Sequence, residues 1–421
     1  MYYYLMYKQC KPDKYKMRLI FSFAMMFLCS LANAQESRMI TVNVSSQTDK
    51  QDEPVIIDLK KYGEVKSAVV RDKNTEIPCQ LDDIDGDEIY DELCFVTDVK
   101  KKETKKLNVT LFYDGQPRQY EARTFAEMLM RNPKVKEKNK HDLFVSSISM
   151  DGSKNTYNVL HHHGVAFESE LVAMRIYYDH RQTLDLYGKK QKRLELEATQ
   201  FYTQPDQAEQ GYGDDVFWCG QSFGLGAIRG YDGEKQVMLT DVKWREQRVI
   251  ASGPVRAVVE VKDRQWKPVP TAEPITMTVR YTIYAGHRDV VCDVKFSKNV
   301  HDYLFTTGIT NVKGSTEFSD SKGLRGCWGS DYAVGGKDTL THKKETVGLG
   351  IFIPQKYIIN EEKANSDNYP FVVATDSDNM RYYLTYTSDN ETFGYHNQKD
   401  WFSYLKAWRD NLESTTAISV E

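Results

Sequence analysis

One segment of the chain, residues 161–190, concentrates side chains suited to general acid–base chemistry. After three histidines comes a strand-like stretch in which apolar residues alternate with Arg175, Tyr177 and Asp179. Because successive side chains of a strand point to opposite sides, these three polar residues share one face. An arginine can hold a carboxylate through two hydrogen bonds, and a tyrosine can relay a proton or stack on a sugar. The pattern predicts a wet strand face that lines a ligand groove.

Simpler interpretations of this segment stay open. The polar face could be a solvated surface with an Arg175–Asp179 ion pair, since surface pairs are common. On a strand, His161 and His163 would share a side while His162 would not, which is poor metal geometry. We expect His161 to contact substrate and His163 to act as a general acid or base, because imidazole titrates near neutral pH. Solvated loop histidines are the alternative.

A second segment, residues 211–218, combines a glycine turn with a short strand. It predicts a tight turn that presents Trp218 or Tyr212 to a ligand, and a purely structural turn has equal weight. The glycines further on lack the Gly-Lys-Ser/Thr of a phosphate loop. Besides Trp218, His161 and Asp179, the candidate substrate-binding residues are Arg181, Asp215, Arg280 and His396, and His180 is a further candidate catalytic base.

An acidic stretch near the N-terminus places carboxylates at positions 1, 3, 5 and 9 of a short loop. This spacing suits a calcium ion, which prefers oxygen ligands. Glu88 stands where an EF-hand requires glycine, and Cys94 stands at position 12, so a full EF-hand is excluded. No cofactor is required by the pattern; the alternative to a calcium loop is a solvated acidic turn. The candidate calcium ligands are Asp83, Asp85, Asp87 and Asp91.

The N-terminus predicts export. Basic residues precede an apolar run from Leu19 to Leu28, and Ala32-Asn33-Ala34 forms a small-x-small cleavage site. Residues 1–34 are therefore expected to be a signal peptide, in which residues 1–16 could be a start-site artefact because Met17 stands where such a peptide should begin. The apolar run is too short to span a bilayer, and no later run is long enough. We expect a periplasmic or secreted protein of the Gram-negative type without a membrane span.

Composition narrows the class of protein further. The 421 residues include 56 Lys and Arg against 60 Asp and Glu, with 40% hydrophobic residues, which is an ordinary globular balance. A nucleic-acid partner would require a basic footprint, so we expect none. The sequence lacks G-x-S-x-G, H-E-x-x-H and a dinucleotide-binding fingerprint. The five cysteines after residue 34 are expected to be isolated buried thiols, although a Cys79–Cys94 bridge is an alternative.

The arrangement of segments predicts an all-β protein of two parts. Residues 35–118 read as a small N-terminal β-sandwich, residues 119–142 as a linker with a short helix at 121–130, and residues 143–421 as a large antiparallel sandwich. Period-two alternation over residues 274–296 predicts a long hairpin. Near the C-terminus, apolar residues at helical spacing predict one amphipathic helix; they are Trp401, Leu405, Trp408 and Leu412.

Four stretches carry a resemblance to a known family: HGVAFESELVAMRIYYDHRQTLDLYGKK, DDVFWCGQSFGLGAI, ASGPVRAVVEV and IPCQLDDIDGDEIYDEL. From about Ile56 to the C-terminus, the chain resembles an uncharacterised family of secreted bacterial proteins, a domain of unknown function. The resemblance implies a galactose-mutarotase-like β-supersandwich and an association with polysaccharide utilisation in Gram-negative glycan degraders. It implies no catalytic residues, and the fold alone does not choose an activity.

Three functional hypotheses follow, all with an oligosaccharide or polysaccharide partner. The first is β-elimination, by a lyase or dehydratase, on uronic-acid-containing oligosaccharides: Arg175 neutralises the substrate carboxylate, a histidine of 161–163 or His180 is the base, and Tyr177 is the acid. The second is an aldose-1-epimerase-like activity, with His163 and either Glu168 or Asp215, or a glycosidase. The third is a non-catalytic glycan-binding protein that depends on Trp218.

Overall fold

The structure is a computed structural model, and it describes residues 36–137, 140–334 and 342–421. The expected signal peptide lies outside these residues. The described chain is built almost entirely from β-strands, and every pair of neighbouring strands is antiparallel. No helix in these ranges is long and apolar enough to cross a membrane.

The small sandwich near the N-terminus consists of a five-stranded sheet, in the order β29-β1-β7-β3-β4, and a three-stranded sheet, β2-β6-β5. Alternating apolar residues such as Val42, Val55 and Val109 fill the space between them. The strands are β1 (Ser37–Ser46), β2 (Lys50–Asp58), β3 (Ser67–Asp72), β4 (Thr75–Ile77), β5 (Cys79–Asp82), β6 (Glu92–Val99) and β7 (Thr104–Phe112), joined by the C-terminal β29 (Thr416–Val420).

The large sandwich packs a nine-stranded sheet against two five-stranded sheets and contains a two-stranded pair, β10-β9. Its strands are β8 (Thr124–Glu127), β9 (Leu129–Met130), β10 (Leu143–Phe144), β11 (Ser147–Asp151), β12 (Gly164–Ser169), β13 (Ala173–Tyr177), β14 (Leu184–Gly188), β15 (Asp214–Asp215), β16 (Arg229–Tyr231), β17 (Gln236–Val237), β18 (Trp244–Ser252), β19 (Arg256–Trp266), β20 (Ile275–Tyr284), β21 (Asp289–Phe296), β22 (Phe305–Thr310), β23 (Thr316–Ser319), β24 (Leu324–Tyr332), β25 (Lys344–Phe352), β26 (Ile358–Glu361), β27 (Asn368–Val373) and β28 (Asn379–Ser388).

Both five-stranded sheets contact the inward face of the nine-stranded sheet, through Phe167 of β12 against Tyr281 and Phe305 of β22 against Phe296. The large sheet runs β11-β18-β19-β20-β21-β28-β25-β24-β23, and the smaller sheets run β15-β14-β13-β12-β8 and β17-β16-β22-β27-β26. Apolar residues from all three sheets, for example Val279, Met174 and Phe371, form one buried core. This architecture confirms the predicted fold class, an all-β supersandwich preceded by a small sandwich.

Three α-helices lie outside the sheets in the described ranges: α1 (Leu196–Thr199), α2 (Pro205–Glu209) and α3 (Gln398–Glu413). The predicted C-terminal helix is confirmed as α3. The side chain of Asn397 caps it by accepting a hydrogen bond from the Asp400 amide at 3.0 Å. Its apolar stripe, which includes Trp401 and Leu405, packs on the outer face of β24 and β25.

Two segments differ from the sequence-based prediction. The short helix expected at 121–130 is wrong, because these residues form β8 and β9, and β8 pairs with β12 in the large sandwich. The expected linker therefore contributes a strand to a sheet. At the other end, β29 returns to the small sandwich and pairs with β1. The predicted hairpin is confirmed, since β20 and β21 pair from Met277 opposite Phe296 to Ile283 opposite Val290.

Candidate functional site

The polar face of β13 carries a dense hydrogen-bond network. The Arg175 guanidinium donates to Asp185 from Nε at 2.9 Å and from Nη2 at 2.5 Å, and Nη2 also lies 3.0 Å from Asp215 Oδ2. Its Nη1 donates to the Tyr202 hydroxyl at 3.1 Å, and the Tyr177 hydroxyl donates to Asp185 at 2.7 Å. We call these five residues the Arg175 cluster. All three guanidinium nitrogens are thus engaged within the protein.

This network corrects the prediction of a wet, open strand face. Arg175 is only 3% exposed and Tyr177 only 7%. The segment from Arg193 to Gly213, which includes α1 and α2, covers this side of the sheet, and the Phe201 ring lies 4.1 Å from the guanidinium carbon of Arg175. Arg175 therefore has its charge balanced by the protein's own carboxylates. It does not offer the free guanidinium expected to hold a substrate carboxylate.

Asp215 is the member of the Arg175 cluster that combines a shifted carboxyl with access to solvent. Its side chain keeps 23% exposure, while that of Asp185 keeps 1%. Burial and the neighbouring Asp185 carboxylate raise the pKa of Asp215 well above its usual range, although Arg175 opposes this. Asp185 and Asp215 share the single positive charge of Arg175. A proton on one of the two carboxyls is therefore favoured. The raised pKa favours the protonated form of Asp215, which is the form that can donate a proton.

Next to the Arg175 cluster, at the end of β13, several aromatic rings and Arg181 pack together. The Arg181 guanidinium pairs with Asp179 at 2.6 Å and lies over the rings of Tyr177 and Tyr157, at 4.7 and 5.1 Å from their centroids. His163 stacks on Tyr157 with ring centroids 3.8 Å apart. The ion pair of Asp179 is therefore with Arg181 and not with Arg175, the partner that the alternative interpretation of a solvated face gave it. The structure does bring His163, Tyr177, Arg181 and Asp215 into one connected region.

The three histidines form a 3-10 turn and not the start of a strand, so the expected alternation does not apply. His162 and His163 have φ values of 40° and 72°, a region that favours glycine. Burial lowers the pKa of His161 and of His162 to about 3 and that of His163 to about 4. All three are neutral at pH 7, and His163 is a poor general acid there.

A buried carboxyl accompanies these histidines. Glu127 Oε1 lies 3.1 Å from His162 Nε2, and burial raises the pKa of Glu127 to about 8. In the described part of the chain, Glu127 Oε2, His162 Nδ1 and His161 Nε2 are buried without a hydrogen-bond partner. The pair is therefore neutral near pH 7, because neither partner gains enough from the other to offset its desolvation.

Trp218 borders an open cleft next to this region. Trp218 is 52% exposed, and its contact with a ligand stays a prediction. The cleft has a volume of about 490 Å³, and polar side chains at or near the ends of β22, β24, β25 and β27 also line it. An aromatic face with nearby carboxylates and amides is the usual composition of a site for a polyhydroxylated ligand. The polar lining includes Asn311, Lys313, Asp331, Tyr332, Glu345 and Asp367.

The remaining candidates lie apart from this region or at its edge. His180 is exposed on a second cavity of about 490 Å³, which Asp179 and Arg181 also line. Arg280 lies on the outer face of the nine-stranded sheet and pairs with Glu260 at 3.0 Å. His396 is on the surface before α3 and lies 3.0 Å from Asp389. Arg280 and His396 therefore do not join the Arg175 cluster.

The structure excludes Glu168, one of the two candidate carboxylates of the epimerase hypothesis, from contact with a ligand. Glu168 is fully buried, pairs with Lys189 Nζ at 2.5 Å, and accepts from the backbone amides of Glu195 and Leu196. These contacts hold the segment that covers β13. Glu168 therefore has a structural position with no route to a ligand, and Asp215 is the carboxyl that remains for such chemistry.

The acidic loop brings together three of its four candidate ligands. One oxygen from each of Asp83, Asp85 and Asp91 lies within 4.8 Å of the others, while Asp87 is outside the group. The Asp83 carboxylate already accepts from the amides of Gly86 and Glu88, at 2.6 and 2.8 Å. Slight burial acts to raise the pKa of Asp83, but the hydrogen bonds from these amides outweigh it and lower the pKa. Calcium binding by this loop stays a prediction.

The five described cysteines are free, buried thiols, as predicted. Sequence reasoning did not identify Asp185 or Tyr202, although both complete the Arg175 cluster. The signal for Asp185 was present: it alternates with Leu184 and Leu186 on a strand, as Arg175 does with its apolar neighbours. The position of Tyr202 depends on how the covering segment folds back, and no local pattern specifies that.

Comparison with known proteins gives one family and several distant structures. A family model described as a domain of unknown function (DUF4861) matches residues 42–418. No curated protein matches the sequence. Similar solved structures include an alpha-mannosidase from Enterococcus faecalis V583 (10% identity, TM-score 0.44, 96% of this chain and 48% of that one) and a glycosyl hydrolase family 38 protein from Enterococcus faecalis (10%, 0.43, 90% and 47%). The chain spans about half the length of each, and similarities of this size carry no argument about activity.

Proposed function

The chain belongs to the family described as a domain of unknown function (DUF4861), and we propose, on the geometry of the site, that it is a carbohydrate-active protein that binds a glycan in the Trp218 cleft and protonates it from Asp215. One observation carries the proposal. Trp218, a half-exposed tryptophan, borders a polar cleft, and Asp215, a carboxyl whose pKa is raised well above its usual range, immediately precedes the cleft-lining Val216 without lining the cleft itself. The first supplies a stacking surface for a sugar, and the second supplies a proton donor.

The proposed chemistry is proton donation to a glycosidic oxygen. Asp185 and Asp215 contact the same nitrogen of Arg175, and burial together with the neighbouring Asp185 raises the pKa of Asp215, which favours its protonated form. A carboxyl of this kind can assist departure of a sugar both in hydrolysis and in β-elimination. Elimination on uronates would need a substrate-facing cation other than Arg175, because the protein itself occupies that guanidinium.

Binding is tested with Trp218→Ala against Trp244→Ala. Trp244 is also largely exposed, at 42%, but it lies at the start of β18 and does not line the cleft. Over a panel of neutral and acidic oligosaccharides measured by calorimetry, Trp218→Ala is expected to weaken binding at least tenfold, since stacking on a large aromatic face is lost. Trp244→Ala is expected to leave it unchanged. Equal affinities in the two variants would contradict the proposal.

Turnover is tested with Asp215→Asn against Asp206→Asn, an exposed aspartate on α2. Loss of the proton donor is expected to reduce product formation by about 10²–10⁴-fold, whereas Asp206→Asn retains full activity. Release of reducing ends with the absorbance of an unsaturated uronate indicates elimination, and release without it indicates hydrolysis. Binding without any turnover would overturn the catalytic part and leave a glycan-binding protein.

We also propose that the protein is exported, on the pattern of basic, apolar and small residues over 14–34. Sequencing the N-terminus of the protein from a cell-envelope or culture fraction tests this. A mature chain that starts at Gln35 is the expected result, and an intact residue 17 in a cytosolic fraction would contradict it.

A further inference from the structure

A groove on the outer face of the nine-stranded sheet lies apart from the Trp218 cleft. It has a volume of about 640 Å³, and its floor is formed by outward-facing residues of β18 to β21. Inward-facing neighbours on the same strands, such as Val261, Val279 and Val294, belong to the core. The floor therefore consists of every second residue of four adjacent strands, which is a rigid and regular platform.

Two rows of side chains cross this floor. In the first row, neighbouring strands place oppositely charged residues next to one another. Glu260 lies 3.0 Å from Arg280 and 3.6 Å from Arg248, and Asp293 pairs with Arg381 at 2.6 Å. The row holds three arginines against two carboxylates and is thus largely neutralised by its own pairs. In strand order, it is Arg248, Glu260, Arg280, Asp293 and Arg381.

The second row, two residues further along the strands, carries unbalanced positive charge. Lys262 lies opposite Thr278, and Thr278 lies opposite Lys295. Within the described ranges, neither lysine has a carboxylate at salt-bridge distance. Glu246, which continues this row on β18, is engaged with Arg264 at 2.9 Å. Two ammonium groups therefore face the groove with a hydroxyl between them.

From this arrangement we infer that the groove binds an anionic polysaccharide, a chain that carries carboxylate or sulfate groups at regular intervals. Lys262 and Lys295 lie on strands that are two apart, so their backbones are about 10 Å from each other. Two point charges at this spacing, flanked by the hydroxyls of Thr276 and Thr278, fit charges repeated along an extended chain. Asp85 at the rim keeps the groove from being uniformly basic.

The charge of the groove favours an anionic polysaccharide over other ligands. The whole chain has a net charge of −4, so a local excess of cations on an open sheet face is not a general property of its surface. A nucleic acid would require a basic footprint much larger than two unpaired lysines. A neutral glycan would gain nothing from the lysines. The groove is thus a second glycan site, and it does not depend on the proposed chemistry at Asp215.

The test measures the affinity of polygalacturonate for the full-length protein, by affinity electrophoresis or calorimetry, with neutral dextran as the control ligand. The Lys262→Gln/Lys295→Gln variant is compared with Lys100→Gln/Lys101→Gln, two exposed lysines of the small sandwich, so that both variants lose the same charge. The groove variant is expected to bind at least tenfold more weakly, and the control variant is expected to bind like the wild type. Binding of the wild type should fall steeply as salt is added.

Three results would overturn the inference. Equal losses in both lysine variants would indicate a general charge effect. Dextran bound as tightly as polygalacturonate would exclude charge recognition. Single-stranded DNA bound as tightly, through the same two lysines, would indicate a site for any polyanion. Trp218→Ala separates the two proposals: in a Trp218→Ala background, the tenfold difference between the groove variant and its lysine control is expected to persist, whether or not the Trp218 cleft binds glycans.

Discussion

The Arg175 cluster and the groove on the nine-stranded sheet have similar sequence patterns and opposite structures. Both place an arginine on a strand whose alternate residues are apolar, Arg175 on β13 and Arg280 on β20. In the first, a covering segment buries the arginine between two carboxyls of the protein. In the second, the small sandwich covers only part of the face, where Cys94 packs against Tyr284, and the groove beside it leaves lysines open to a ligand. A polar strand face in the sequence therefore predicts where charged side chains lie, but it does not predict whether solvent or a ligand can reach them.

The difference also separates two energetic roles. A buried arginine with buried carboxylate partners cannot be removed without leaving a charge in a medium where it is poorly solvated. An ion pair whose two side chains are both exposed, such as Arg381 with Asp293, is shared with water and salt and contributes little. We therefore expect the ion pairs of the Arg175 cluster to contribute strongly to the stability of the fold. The side chains of the groove are expected to contribute to binding and hardly at all to stability.

The largest expected effect is the loss of Arg175. Arg175→Ala leaves Asp185 buried without its cation and is expected to lower the free energy of unfolding by about 3–5 kcal/mol. The matched variant Arg280→Ala is expected to cost less, because the Arg280 side chain is 32% exposed and its buried partner Glu260 keeps a second cation, Arg248, at 3.6 Å. Denaturant unfolding measures both. Similar costs for the two variants would mean that the two regions do not differ as argued.

The next effect depends on pH and concerns Glu127, on the edge strand of the same sheet. Its pKa in the folded protein is raised to about 8 by burial, above the ordinary value of 4.5. The folded state therefore holds this proton more tightly than the unfolded state, and the resulting stability is lost as pH rises from about 4.5 through about 8. Glu127→Gln is expected to match the wild type near pH 4 and to exceed it by a few kcal/mol at pH 9, since each pKa unit corresponds to about 1.4 kcal/mol.

The control for this prediction is Glu64→Gln, an exposed residue of the small sandwich, which is expected to change stability little at either pH. Unfolding by denaturant at pH 4 and pH 9 gives the comparison. A Glu127→Gln variant that is less stable than the wild type at pH 9 would show that the fold favours the carboxylate form, which is the opposite of the expected direction.

The sequence predicted those parts of the fold that depend on local periodicity. The β20–β21 hairpin and α3 are confirmed, because their apolar residues keep a period of two or of helical turns over many positions. The helix expected at 121–130 is wrong because pairing with β12 decides the conformation there, with Thr124 opposite Ser169 and Ala126 opposite Phe167. Such long-range pairing overrides weak local preference.

The site was less predictable for a related reason. Alternation placed Arg175 and Tyr177 on one face, and the structure keeps them there. Whether that face meets solvent depends on the segment from Arg193 to Gly213, which is held by contacts such as the Glu195 amide with Glu168. Those partners are far apart in the chain, and nothing in the local pattern links them. Trp218 is 52% exposed, and its role in binding a ligand stays a prediction.

The smallest expected effect is that of Arg381→Ala, and its dependence on salt distinguishes the exposed groove from the buried Arg175 cluster. Arg381 and Asp293 form a two-pronged ion pair at the edge of the groove, with both side chains at least 39% exposed. Arg381→Ala is expected to cost about 0.2–1 kcal/mol at low salt and almost nothing at about 1 M salt, where screening acts over about 3 Å. The cost of Arg175→Ala should stay the same across this range, because buried pairs are screened much less. Denaturation curves in urea at the two salt concentrations measure this, and a salt-dependent Arg175 effect would mean that solvent reaches the cluster after all.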